Sequence, residues 1–162
     1  MIWQPLKNAT ALEALARELA RWHRTPYAEG QGVPGRDGGT DCVRFVGGVL
    51  DSVRGRPRTP VRALRRGAAQ HDQVAAAELM ADLIEVFQPM TAVRDGTYEP
   101  GDVVVLGLGG GGPQHLLIVG PIRWSLWEAG PSGVLPAGST RLIMSGVDVL
   151  RVYRPDDKAG WR

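Results

Sequence analysis

Cysteine is nearly absent from this chain, with Cys42 alone among 162 residues. An internal disulfide and a four-cysteine zinc site are therefore excluded, and the thiol is left as either core filler or reagent. Histidine is almost as scarce. The three histidines and one cysteine show no metal-ligand spacing, so neither a metal nor another cofactor is expected. No uncharged apolar run approaches the roughly 18 residues of a membrane span. The opening Met1-Ile2-Trp3-Gln4-Pro5 also lacks the basic-then-apolar form of a signal peptide.

Glycine and proline, by contrast, are abundant. With 22 and 12 they make about 21% of the chain, against a usual share of about 12%. Hydrophobic content of 43% argues against disorder, so the excess fits a compact domain with many tight turns. Net charge is only +2 but unevenly spread. Six arginines (54, 56, 58, 62, 65 and 66) crowd one stretch, whereas from 72 to 102 seven acids face only Arg94. Such a basic stretch is either a solvated face or a site for phosphates and polyanions.

The order of elements defines the fold class. Thr10 and Glu13 match a capping box, and Leu12, Leu15, Ala16, Leu19 and Trp22 follow at helical spacing. Thr25-Pro26 ends that helix. Residues 28–40 read as a surface loop. Thr40 or Asp41 then caps a second helix whose inward face carries Cys42, Phe45, Val46, Val49, Leu50 and Val53. Residues 61–66 and 71–87 read as further helices. After Pro89, short apolar runs at 91–93, 103–108, 116–119, 123–128, 142–144 and 147–153 alternate with turn residues. Helices followed by an antiparallel β-meander make an α+β domain. The expected division is one domain over 1–155 and a loosely held polar tail over 156–162.

Cys42 at a helix start has a chemical consequence. The helix dipole and the free N–H groups of the first turn favour an anion, so a thiolate is stabilised there. A nearby imidazole would complete an activated sulfur nucleophile. His23 and His71 read as surface residues, whereas His115 follows a glycine run and begins the apolar strand 116–119. That position suits a base, and equally a satisfied strand histidine. The run 107–112 is not a phosphate loop, because no Lys-Ser/Thr follows and the next element is a strand. It reads as a flexible hairpin loop beside His115.

Together these pieces resemble the NlpC-type family of cysteine peptidases, whose core is papain-like. Thr25-Pro26-Tyr27 resembles the family's T-P-Y element, and Gly39-Thr40-Asp41-Cys42 with Phe45-Val46 resembles its nucleophile motif. Glu99-Pro100-Gly101-Asp102 is similar to its P-G-D segment, His115-Leu116-Leu117-Ile118-Val119 to its histidine strand, and Val152-Tyr153-Arg154-Pro155 to its last strand. The resemblance implies Cys42 as nucleophile and His115 as general base, with no metal. The orienting third residue of the family is His, Asn or Gln on the following strand; here the position falls on Glu128, a departure. Tyr27 and Asp41 are assigned to the substrate-binding and oxyanion side, with the Cys42 backbone N–H as another oxyanion donor. Val43-Arg44 replaces the family's Ser-Gly after the cysteine, a second departure.

The implied activity is hydrolysis of peptide stems in bacterial peptidoglycan, next to D-glutamate and diaminopimelate. Inserts over 30–38 and 54–87 resemble the phage and prophage branch. The expected setting is thus a virion or phage-like tail tip, among other tail-tip proteins, for a chain made in the bacterial cytoplasm without a signal peptide. Three other readings stand beside it. They are an inactive structural tail-tip protein that keeps the fold, a different amide or ester hydrolase or acyltransferase, and an anion- or nucleic-acid-binding module using 54–66.

Overall fold

A computed structural model describes residues 1–57 and 87–162. The expected helices at 61–66 and 71–87, His71, and the arginines at 58, 62, 65 and 66 lie outside the described residues, Phe87 excepted. The described elements are mixed helix and sheet. β1 (Ile2–Trp3), α1 (Ala9–Trp22), β2 (Gly32–Val33), β3 (Gly39–Thr40) and α2 (Cys42–Val53) come first. After the undescribed stretch follow β4 (Met90–Ala92), β5 (Thr97–Tyr98), β6 (Val103–Leu108), β7 (Pro113–Val119), β8 (Ser125–Gly130) and β9 (Gly133–Gly138). A 3-10 turn, Ser139–Leu142, and β10 (Val147–Pro155) complete the sheet, and a second 3-10 turn, Lys158–Gly160, closes the chain.

The six-stranded antiparallel sheet has the order β4-β10-β6-β7-β8-β9. Four consecutive strands, β6 to β9, form a meander, of which β6 to β8 fall on expected runs. β10 departs from it, returning to pair with β6 on the inside of β4. Both faces of the central strands are buried, which explains their unbroken apolar runs. Val103, Val105, Leu116 and Ile118 join α1 and α2 in one core cluster. Val104, Leu106, Leu117 and Val119 join Tyr98, Leu126, Leu142 and Val152 in the other.

α2 starts where expected, with Asp41 as its N-cap, and is buried along nearly its whole circumference. It lies so close to α1 that a Cβ on Gly48 would stand 2.5 Å from the Trp22 ring. That ring also meets Phe45 edge-on at 5.7 Å. α1 departs in detail from its expectation. Its cap is Asn8, whose side chain accepts from the Ala11 N–H at 3.1 Å, rather than Thr10. The buried stripe is accordingly Ala11, Ala14, Leu15, Glu18, Leu19 and Trp22, leaving Ala16 exposed.

Two strand expectations are corrected. Residues 142–144 are not a strand: Leu142 ends the 3-10 turn, and Ile143 and Met144 are exposed. The strand lies earlier, at β9, whose Gly133, Pro136 and Gly138 read as turn residues; an edge position lets proline sit in a strand. The loop at 28–40 is likewise not wholly surface, since β2 and β3 pair and Thr40 is buried.

The tail is the largest correction, because 156–162 packs as part of the domain. Trp161 is 2% exposed, and the Arg162 N–H donates to the Val53 carbonyl at 3.0 Å. Lys158 reaches the fully buried Asp102 at 2.9 Å, and Arg154 reaches the same carboxylate at 2.7 Å. Asp157 pairs with Arg54, whose side chain is 2% exposed and also donates to the carbonyls of Phe87 and Pro89. Arg56 donates to the Gln88 carbonyl. The two described members of the basic stretch therefore make internal bonds.

Candidate active site

Three separate pieces of chain converge at the start of α2. The first is the segment after α1. Arg24 and Thr25 exchange backbone hydrogen bonds with Val134 at 2.8 and 2.9 Å, which docks this segment on the open edge of β9. Tyr27 then bridges to Thr40, with Ala28 N–H donating to the Thr40 carbonyl and Thr40 N–H to the Pro26 carbonyl. Tyr27, half-buried, is thereby held opposite Thr40, two residues before Cys42.

The second piece is the helix start. Asp41 Oδ1 accepts the Arg44 N–H at 2.9 Å. Oδ2 accepts the Gly30 N–H at 3.0 Å and the Arg44 guanidinium at 2.6 Å. At 3% exposed, this carboxylate is fully engaged inside the chain. The expectation that Asp41 faces substrate is therefore corrected: it caps the helix and fixes the loop, and so sets where Cys42 sits. The same contact ties down Arg44. Cys42, 5% exposed, begins the buried face of α2.

The third piece is the sheet. His115 lies on β7 near the tip of the β6–β7 hairpin, where Gly109 and Gly110 adopt positive φ and turn the chain. The glycine run is thus a hairpin loop, as its composition implies. Glu128 on β8 stands opposite Leu117, two residues from His115. Diagonal neighbours on adjacent strands are within reach of long side chains. His115 Nε2 meets Glu128 Oε2 at 2.7 Å, with the two side chains 11% and 19% exposed. Cys42 also acts on the imidazole, favouring its charged form.

Burial opposes charge on His115, but the hydrogen bonds from Cys42 and Glu128, together with their charge, outweigh it and raise its pKa to about 9. Glu128 is pushed the other way. Its hydrogen bond to His115, opposed by burial and helped by Arg141, holds the carboxyl below its ordinary range. The chain of groups is thus thiol, imidazolium-prone ring and carboxylate in sequence. Such a set can deliver a sulfur nucleophile and shuttle one proton.

Sequence reasoning missed Arg141. Its Nε stands 3.3 Å from Glu128 Oε1, reached from the 3-10 turn that follows β9. The one signal for it is the β8–β9 hairpin, which the glycines and proline of β9 conceal. His23 is exposed and lies edge-on to Trp127 at 5.8 Å, away from these contacts. Among the described residues no group of three or more His, Cys, Asp or Glu side chains is arranged to hold a metal ion. Nor is any described helix long and apolar enough to cross a membrane. No family model matches the chain, and no curated protein does.

Proposed function

We propose that this chain is a papain-like cysteine hydrolase of the NlpC type that cuts amide bonds in the peptide stems of bacterial peptidoglycan. The observation that carries the reading is the His115–Glu128 bond at 2.7 Å beside Cys42, which acts on the same ring and sits at a capped helix start. In the proposed reaction the Cys42 thiol passes its proton to His115 as the sulfur attacks the amide carbonyl, and the first-turn N–H groups of α2 stabilise the oxyanion. The C–N bond breaks as His115 gives its proton to the leaving amine, which leaves a thioester on Cys42. Water then attacks the thioester, its proton passes to His115, and the thiolate departs from a free carboxylic acid. Glu128 orients the ring and stabilises its charged form.

The setting we propose is a phage-type tail tip that opens the wall, on the resemblance of the inserts around the nucleophile segment to that branch. Of the competing readings, anion binding by 54–66 is weakened by the internal bonds of Arg54 and Arg56. The test is incubation of the purified chain with muropeptides and mass spectrometry of the products. One new amine and one new carboxyl within the stem are expected, both lost in Cys42→Ala. Intact muropeptides, with a thiol that alkylates like an ordinary one of pKa about 8.5, would overturn the proposal. For the setting, the chain should co-purify with tail particles of its phage and be missing from the free lysate pool.

A further inference from the structure

Glu128 does more than accept from an imidazole. Its side chain has three rotatable bonds, and at 19% exposed it can be reached by water that would compete for Oε2. Arg141 occupies the other side of the carboxylate, with Nε at 3.3 Å from Oε1 and 3.4 Å from Oε2, so it straddles both oxygens. The backbone that presents it is fixed. Leu142, the next residue, is buried in the second core cluster, and the Ile143 N–H closes the turn onto the Thr140 carbonyl. A third contact, from Nη1 to Met144 Sδ at 3.8 Å, steadies the guanidinium.

We propose that Arg141 is a positioning residue that clamps the Glu128 carboxylate in the orientation that bonds His115. The proposal rests on the reading of Cys42, His115 and Glu128 as the working groups of a hydrolase. It competes with a plainer account in which Arg141 is only a partly exposed ion pair with little effect of its own. The two accounts predict opposite signs. The groups that bear most on His115 are Cys42 from α2 and Glu128 from β8, while those bearing on Glu128 are His115 from β7 and Arg141 from the 3-10 turn. If Arg141 were merely a nearby cation, it would repel the imidazolium, and removing it would raise the His115 titration midpoint. If it clamps Glu128, removing it loosens the Nε2–Oε2 bond and the midpoint falls.

The experiment is a side-chain NMR titration of His115 in the whole chain, for wild type, Arg141→Gln, Arg141→Lys and Glu128→Gln. The wild-type ring is expected to titrate at about 9. In Arg141→Gln the midpoint should fall toward the ordinary 6.5. Arg141→Lys, which keeps the charge without the planar fork, should lie between them. Adding Arg141→Gln to Glu128→Gln should lower the midpoint no further, because there is no carboxylate left to position. An unchanged or higher midpoint in Arg141→Gln, or a further fall in the double variant, would overturn the proposal. This readout needs no turnover. Should wild type fail to cut muropeptides while the midpoint still falls, the hydrolase reading is lost and the positioning role stands.

Discussion

Replacing Glu128 with glutamine changes one charge in a nearly isosteric side chain, and its effect on stability can be worked out from the ring it touches. The His115 pKa rises from 6.5 to about 9 in the folded chain, which corresponds to about 3 kcal/mol in favour of the charged ring. Because the folded state holds this proton more tightly than the unfolded chain does, the stabilisation is complete below about 6.5 and is lost as pH rises through about 9. Wild type should therefore lose about 3 kcal/mol over that window from this group. A hydrogen bond to a charged group contributes about 1.5–3 kcal/mol net. At 2.7 Å and mostly buried, the Glu128 bond belongs in that range, so Glu128→Gln should flatten at least half of the decline. The assay is urea denaturation of both proteins at half-unit steps from pH 6 to 10, taking the difference between them so that other groups titrating in the window cancel. Parallel curves, with the same loss in both proteins, would refute the claim that Glu128 holds the imidazolium.

Asp41→Ala removes a helix cap and should cost about 1–2 kcal/mol, with slower alkylation of Cys42. Asp41→Asn, which keeps the acceptor for the Arg44 N–H, should recover most of the stability, as read by denaturation midpoints. Trp161→Ala empties a site that is 2% exposed and should cost about 3–5 kcal/mol, whereas a loose tail would give no change in thermal unfolding. Gly101→Ala should cost about 2–4 kcal/mol, since φ is +87° there and the new Cβ would collide with the Trp161 ring. Combining it with Trp161→Ala should remove most of the collision's share.

What could be read from the sequence follows from how local each signal is. α2 was legible because Asp41, Cys42 and the 3–4 spacing through Val53 all lie within thirteen residues and agree. α1 was legible as a helix but not in phase. Asn8 and Thr10 are both good caps, and only packing against α2 selects the stripe that begins with Ala11. β9 was hidden because an edge strand tolerates the glycines and proline that elsewhere mark turns. The tail was hidden for a different reason. Its charges look like a solvated run until Asp102, Glu99 and Arg54, at least 56 residues away, are seen to bond them. At the candidate site Cys42 and His115 stand in local contexts that point to chemistry, and Glu128 follows by counting along a strand. Arg141 has no such context, since only the path of β9 brings it back beside Glu128.

A carboxylate in the third position has a consequence that a neutral amide or imidazole would not. An anion 2.7 Å from the ring stabilises the imidazolium itself as well as its orientation, and together with Cys42 it outweighs burial and raises the His115 pKa to about 9. On the proposed hydrolase reading, the proton must later leave this ring to reach the departing amine. Arg141 bears on that transfer. By fixing the carboxylate it keeps the bond to the ring in one geometry. On this reasoning Glu128 and Arg141 form one unit, and exchanging Glu128 alone for the neutral residue of the resembling family would leave an unpaired guanidinium beside the ring. Glu128→Gln should therefore lose more muropeptide turnover than the Glu128→Gln, Arg141→Gln double variant. Equal losses in the two would show that the arginine has no part in the reaction beyond its bond to the carboxylate.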